Sequence, residues 1–302
     1  MLPDGFLNLI KPPGMTSHDL VAWVRERLGL RRVGHLGTLD PAATGVLPIC
    51  LGRATRLFRF AGGAKKAYRA EIVLGVSTDT LDADGRVVAE SDSGEVTECR
   101  LRDVLQRFIG DIEQRPPAFS AARVGGRRLH ERARSGERRS GPPKRVSIES
   151  LELVAFRRGS RARATIDVVC SPGTYVRSLA HAVGLAAGCG AYLNFLVRTA
   201  AGRFALVDAL AVEELATACR ENSEQAIVLS PDWPLEHLPQ VTVSSHAARD
   251  FARGTRVCAG EAASWPVRVY GPDRAFLGLG QVLGKGQLHP RVVLVPEASG
   301  EP

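Results

Sequence analysis

The chain has 302 residues, 44% of them hydrophobic, enough to bury one large core and a smaller companion. No apolar run approaches the roughly 18–20 residues of a membrane span, and the N-terminus, with Asp4, Asn8 and Lys11, lacks a signal-peptide core. The six cysteines show no zinc spacing, so a cytoplasmic protein without membrane attachment or metal is expected, its thiols reduced. Formal charge is +8, and only five of the 40 basic residues are lysine. Guanidinium binds phosphate bidentately and stacks on bases, which suits a nucleic-acid partner.

In chain order, residues 6–10 read as a strand followed by a Pro-Gly turn. Thr16 or Ser17 then caps a helix with Leu20, Val21, Val24 and Leu28 on its apolar face, and Gly29 ends it. Strands are predicted at 46–51 and 68–76, the second placing Tyr68, Ala70, Ile72 and Leu74 on one side. Asp82-Ala83-Asp84-Gly85 turns into a strand at 86–89, and because Asp79, Asp82 and Asp84 miss the calcium-loop spacing they read as turn formers. A helix at 100–109, strands at 145–155 and 162–169 and a helix at 175–187 complete the larger unit. Residues 231–239 contain three prolines and read as a linker. Short strands at 255–257, 267–270, 276–282 and 291–295 follow, and 297–302 reads as a disordered tail. Strands and helices do not alternate regularly, so the expected class is α+β, with a mixed, largely antiparallel sheet flanked by helices.

Two segments carry chemistry. In GHLGTLDPAATGVLPICLG (34–52), Asp40 sits at a turn bounded by Gly37 and Gly45. An Asp before Pro41 is also what a helix N-terminus uses as its cap, so local physics allows either a cap or a presented carboxylate. Between Arg123 and Arg145 nine Lys or Arg face two acids, in a stretch broken by Gly125, Gly126, Gly136 and Gly141. Such a segment is suited to gripping a polyanion.

The 34–52 segment resembles the catalytic motif GHxGTLDPxAxGVL of the bacterial tRNA pseudouridine synthases that act on the T-loop uridine, the TruB family. Five further strings follow that family's order: LIKPPGMTSHDLV (9–21), KKAYRAEIVLGVSTDTLDADG (65–85), RPPAFSAARVGGRRLHERARSG (115–136), CSPGTYVRSLAHAVG (170–184) and GCGAYLNFLVRTAAGRF (188–204). The resemblance implies the pseudouridine synthase fold over residues 1–235, with an RNA-gripping insertion at about 120–145. The GTRV, VRVYG, FLGLGQV and LHPRVVL strings are similar to a small β-barrel-like PUA domain, here 238–296.

The implied activity is isomerisation of uridine to pseudouridine at tRNA position 55, by base flipping and an Asp nucleophile. It needs no cofactor, metal or guide RNA and is carried out by a monomer. By resemblance Asp40 attacks either base C6 or ribose C1′, Arg177 pairs with it, and Tyr68 packs on the flipped base and helps remove the C5 proton. His35 would take the flipped base's place in the RNA, and Tyr175 and Leu196 would line the uracil pocket. Arg123, Arg127, Arg128, His130 and Arg132 would grip the T-arm, with the C-terminal domain reaching the acceptor stem. His130 departs from the family, which often has Tyr there, and Leu36 is bulkier than the usual residue. Two other functions share these features: a tRNA-binding or folding protein using the pocket without catalysis, and a guide-RNA-dependent synthase, which would lack the basic insertion.

Overall fold

A computed structural model describes residues 3–120, 122–129, 133, 141–258, 265–283 and 286–294. The first half of the larger unit comprises β1 (Gly5–Lys11), α1 (Ser17–Arg27), β2 (Val33–His35), β3 (Thr44–Leu51), α2 (Phe58–Ala61), β4 (Lys66–Leu74), β5 (Val76–Thr78), β6 (Val87–Glu90) and α3 (Glu98–Gln106). The second half continues with β7 (Gly110–Gln114), β8 (Arg123–Val124), β9 (Arg127–Arg128), β10 (Lys144–Arg157), β11 (Arg163–Cys170), α4 (Val176–Ala187), β12 (Ala191–Ala201), β13 (Phe204–Ala205) and α5 (Val212–Arg220).

Capping decides where the helices begin. Thr16 caps α1 in a reciprocal box: its hydroxyl accepts from Asp19 N at 3.0 Å, and the Asp19 carboxylate accepts from Thr16 N at 3.0 Å. Thr97 starts α3 two residues before the predicted boundary, accepting from Arg100 N at 3.2 Å. Gly75, at φ +84°, splits the predicted 68–76 strand into β4 and β5, because few side chains tolerate that backbone.

The main sheet runs β1-β3-β12-β4-β11-β10-β7, with β2 paired to β3 and β13 to β12. Every pairing within it is antiparallel except β3 with β12. The α+β class and the mixed sheet are therefore as expected. The central strand β12 has no counterpart among the predicted strands. Two register shifts, at Leu193/Phe195 and Arg198/Ala200, break its alternation, and an inward position is occupied by arginine.

Successive residues of β1 and β3 point to opposite faces. Leu7, Leu9, Leu47, Ile49 and Leu51 join Tyr68, Ala70, Ile72 and Leu74 in the large core beneath α1, α3 and α4. Phe6, Val46 and Cys50 face the other way, into a second core with Leu57, Ala61 and Leu235. That second core also takes Leu279, Val292 and Leu294 from a five-stranded C-terminal sheet. The C-terminal elements are β14 (Gln240–Thr242), α6 (Ser245–Ala252), β15 (Val257–Cys258), β16 (Val267–Tyr270), β17 (Phe276–Leu283) and β18 (Gln287–Val293), with sheet order β14-β16-β17-β18-β15.

Residues 231–239 are a packed brace, where a linker was expected. Trp233 starts a single 3-10 turn and lies 5.1 Å from the Phe204 ring, and Leu235 is fully buried. Arg268 donates to the carbonyls of Glu236 and Leu238 at 3.2 and 3.1 Å, and the Tyr270 hydroxyl donates to Asp232 at 2.7 Å. In the basic insertion, β8 and β9 form a hairpin around Gly125 and Gly126, both at positive φ, as a two-residue turn demands. His130 and Arg132 lie outside the described residues. Among the described residues no helix is long and apolar enough to cross a membrane.

Candidate active site

Asp40 lies on the loop joining β2 to β3. No helix follows it: its carbonyl accepts from Ala43 N at 3.1 Å in a tight turn, and β3 begins at Thr44. The helix-cap alternative is thereby overturned, and the carboxylate is left half-exposed at a pocket.

Neighbouring elements hold this loop at each residue around the acid. The Ser17 hydroxyl accepts from Leu39 N at 2.8 Å and donates to Leu39 O at 3.1 Å, so one buried side chain satisfies both polar groups of the residue before Asp40. Lys11 is fully buried and gives its ammonium to the carbonyls of Pro12, Met15 and Pro41 at 2.8, 2.6 and 3.1 Å. Burial pulls its pKa down to about 8, against the pull of Asp40. From β12, fully buried Arg198 donates to Val46 O at 2.6 Å and to Gly37 O at 3.1 Å. Glycine is needed at two points here. Gly37, at φ +96°, has the Lys66 ammonium where a Cβ would stand, and Gly45, at φ +102°, lies against the Arg198 backbone in the parallel β3–β12 pairing.

Ser17→Ala should leave both Leu39 groups unpaired inside the protein and cost about 1–3 kcal/mol. A thermal melt checks this; an unchanged Tm would mean that the loop is held without it.

Arg177, on the first turn of α4 and 5% exposed, pairs with Asp40 through both carboxylate oxygens, Nε to Oδ2 at 2.9 Å and Nη2 to Oδ1 at 3.0 Å. It also meets Asp82 Oδ2 at 3.3 Å and donates to the carbonyls of Thr80 and Phe119 at 3.3 and 2.9 Å. Asp82 is thus more than the turn former read from sequence. It accepts from the Thr80 hydroxyl and from Asp84 N while sharing the cation of Asp40. Burial pushes its carboxyl pKa up, and Thr80 and Arg177 oppose that push.

A 210 Å³ pocket opens at the Asp40–Arg177 pair. Its walls include Thr38 and Leu39, Lys66 and Tyr68 from β4, Leu196 from β12, and Thr174 and Tyr175 at the entry to α4. Gln114 fixes that entry, accepting from Tyr175 N at 2.9 Å and donating to Tyr175 O at 3.3 Å. Tyr68 is 7% exposed; burial pushes its phenol pKa up, and the adjacent Arg198 guanidinium works the other way. Lys66 is pulled down to about 8 by burial and by Arg198.

Asp40, Tyr68, Arg177, Tyr175 and Leu196 are therefore brought together. His35 is not on the pocket wall. It sits beside Arg198, its Nδ1 buried without a hydrogen bond, and burial lowers its pKa. Arg123, Arg127 and Arg128 stand on the β8–β9 hairpin, with Arg123 opposite Arg128 and Arg127 exposed. Lys11, Lys66 and Arg198 were not read from sequence as site residues, and Asp82 was read only as a turn former. All lie in the motif strings, but a buried cation bound to carbonyls leaves no mark in hydropathy. Among the described residues no cluster of His, Cys, Asp or Glu could hold a metal.

Comparison with known proteins matches residues 25–176 to the family model of the TruB family pseudouridylate synthase N-terminal domain, and residues 239–294 to the pseudouridine synthase II TruB C-terminal model. The tRNA pseudouridine synthase B of Symbiobacterium thermophilum is 53% identical over 83% of this chain and 82% of its own length. That of Moorella thermoacetica is 42% identical over 95% and 94%. Among solved structures, a chain of an H/ACA RNP bound to a substrate RNA containing 2′-deoxyuridine superposes with a TM-score of 0.74 at 25% identity, covering 97% of this chain and 86% of that one. A chain of a Cbf5-Nop10-Gar1 complex superposes with a TM-score of 0.74 at 27% identity, covering 97% and 85%.

Proposed function

Because the chain belongs to the TruB family of pseudouridylate synthases and so isomerises uridine in tRNA, we propose that its target is the T-loop uridine at position 55 and that Asp40 is the nucleophile. The observation that carries the proposal is the half-exposed Asp40 carboxylate, bound at both oxygens by a buried arginine, in a pocket walled by Tyr68, Tyr175 and Leu196. A uridine stacked in a folded T-loop has to leave its stack to reach this pocket, at a cost of a few kcal/mol.

The chemistry then runs on this chain's own side chains. Asp40 adds to the substrate at base C6 or ribose C1′, and the N1–C1′ bond breaks. The uracil turns, C5 bonds to C1′, the C5 proton leaves, N1 takes a proton and the carboxylate departs. Tyr68, with Arg198 against its hydroxyl, relays the C5 proton: its oxygen accepts that proton as its own O–H proton passes on toward N1, so the neutral phenol is restored. Tyr68→Phe should keep the fold and tRNA affinity while lowering turnover by about 10²–10⁴, the usual share of a general base. Single-turnover kinetics beside a binding titration separate the two, and equal losses in both would assign Tyr68 to packing alone.

The β8–β9 hairpin, through Arg123, Arg127 and Arg128, grips the T-arm, and the C-terminal unit, a PUA-like domain, reaches the acceptor stem of a tRNA bound by one monomer. The protein acts without a guide RNA: the tRNA pseudouridine synthase B chains of Symbiobacterium thermophilum and Moorella thermoacetica share 53% and 42% identity with it, against 25–27% for the chains of H/ACA assemblies. The test is tritium release from tRNA transcripts labelled at uracil C5, with and without position 55 changed to cytidine. Stoichiometric release that vanishes with the cytidine transcript is expected, and release that persists from it would move the target elsewhere.

A further inference from the structure

A second cleft, of 440 Å³, lies where residues 52–61 meet the C-terminal sheet. Arg56, Arg59 and Phe60 form one wall, and Trp265, Gln281 and Arg291 the other. Three arginines line it, and no carboxylate does so among the described residues. Its volume falls in the usual range for small-ligand sites, about 300–1,000 Å³.

The junction around the cleft is built rather than incidental. Arg56 donates to Val293 O and Arg53 to Leu294 O, each at 2.7 Å, tying the two units together beside it. Gln281 Oε1 holds the Arg291 guanidinium at 3.1 and 2.6 Å, 6.0 Å from the Trp265 ring centre. Phe60 meets Trp265 edge-to-face at 5.5 Å, which leaves the tryptophan 44% exposed. Arg59 makes no ion pair among the described residues, so one guanidinium on this wall stays available.

Uncompensated guanidinium beside a half-exposed tryptophan fits one ligand class: a nucleotide in a chain, with its phosphate on the arginine and its base or ribose on the exposed part of the ring. A free carboxylate or an acidic peptide would use the charge and leave the ring unused. Phe60 precedes Lys66, on the wall of the Asp40 pocket, by six residues, so chain reach keeps these two wall residues within about 22 Å. That is less than one duplex turn of about 34 Å, and one RNA can occupy both sites. We infer that this cleft is a second RNA subsite, taking a nucleotide of the tRNA beyond the T-arm. The inference rests on the C-terminal unit reaching past that arm, and it assigns the contact to the junction itself.

The test compares full-length tRNA with a hairpin carrying only the T-loop and its short stem. Arg59→Ala should weaken tRNA binding about fivefold to tenfold and reduce the slope of log K against log salt by about one, the signature of one lost phosphate contact. Hairpin affinity and single-turnover release from the hairpin should be unchanged. Trp265→Leu should weaken tRNA binding without changing the salt slope. Equal losses on tRNA and hairpin, or no loss on tRNA, would overturn the subsite. Tritium release from the hairpin by the parent protein, and its loss in Asp40→Asn, report on the T-loop target and the nucleophile independently of the cleft, so failure of that chemistry and failure of the cleft are told apart.

Discussion

Asp40→Asn should abolish tritium release while leaving a folded protein that still binds tRNA. The amide keeps the size of the carboxylate and one acceptor for Arg177, so the loop clamped by Ser17, Lys11 and Arg198 has no reason to move. What it loses is nucleophilicity, because an amide oxygen cannot add to carbon and leave again as carboxylate does. Removing a covalent nucleophile costs about 10⁴-fold or more in turnover. Stability should stay near that of the parent, since Asp82 still faces the guanidinium at 3.3 Å. Release within tenfold of the parent would remove Asp40 from the mechanism and return the binding-protein alternative to first place.

Arg177→Met should be the most destabilising change at the site. The guanidinium is 5% exposed and holds two carboxylates and two carbonyls. Taking the cation away leaves two neighbouring carboxylates, Asp82 mostly buried and Asp40 half-exposed, and costs at most about 3–5 kcal/mol, the range for a fully buried pair. The pH dependence identifies the cause. Burial already places the Asp82 pKa above the ordinary value, and Arg177 is one of the groups that restrain it, so the variant's Asp82 rises further. With a raised pKa the folded form takes up a proton before the unfolded form does. Stability is then lost as pH rises through the window between the unfolded value, about 3.9, and the raised folded one, and it is regained as pH falls through that window. Urea melts from neutral pH down to about 4 should therefore show the deficit of Arg177→Met shrinking on acidification. A deficit constant with pH would assign the loss to packing.

Much of this arrangement is legible in the chain. The strand-forming runs of β1, β3 and β4 and the acid at a Gly-bounded turn rest on local chemistry, and Asp40, Tyr68, Arg177, Tyr175 and Leu196, which the family resemblance implies, line one pocket. Where sequence failed, long-range partners decided. Strand β12 hides because a fully buried arginine occupies one of its inward positions, and its reason for being there lies on the β2–β3 loop about 160 residues earlier. Asp82 looks like any turn residue until Arg177 arrives from α4. The prolines of 231–239 suggest a loose tether, but Leu235 and Trp233 have cores to enter. His35, which the motif implies would stand in for the flipped base in the RNA, lies off the pocket wall, beside Arg198.

Lys11, Lys66, Arg177 and Arg198 surround two carboxylates, Asp40 and Asp82, so the pocket carries more positive charge than negative before any substrate arrives. A phosphodiester chain lying across its mouth is drawn by that surplus and relieves it. A free nucleoside has no phosphate to offer and still pays for ordering and desolvation. The same cations that shape the loop therefore favour a phosphodiester polymer over the metabolite pool, and free uridine should be turned over far more slowly than tRNA without any gate to keep it out.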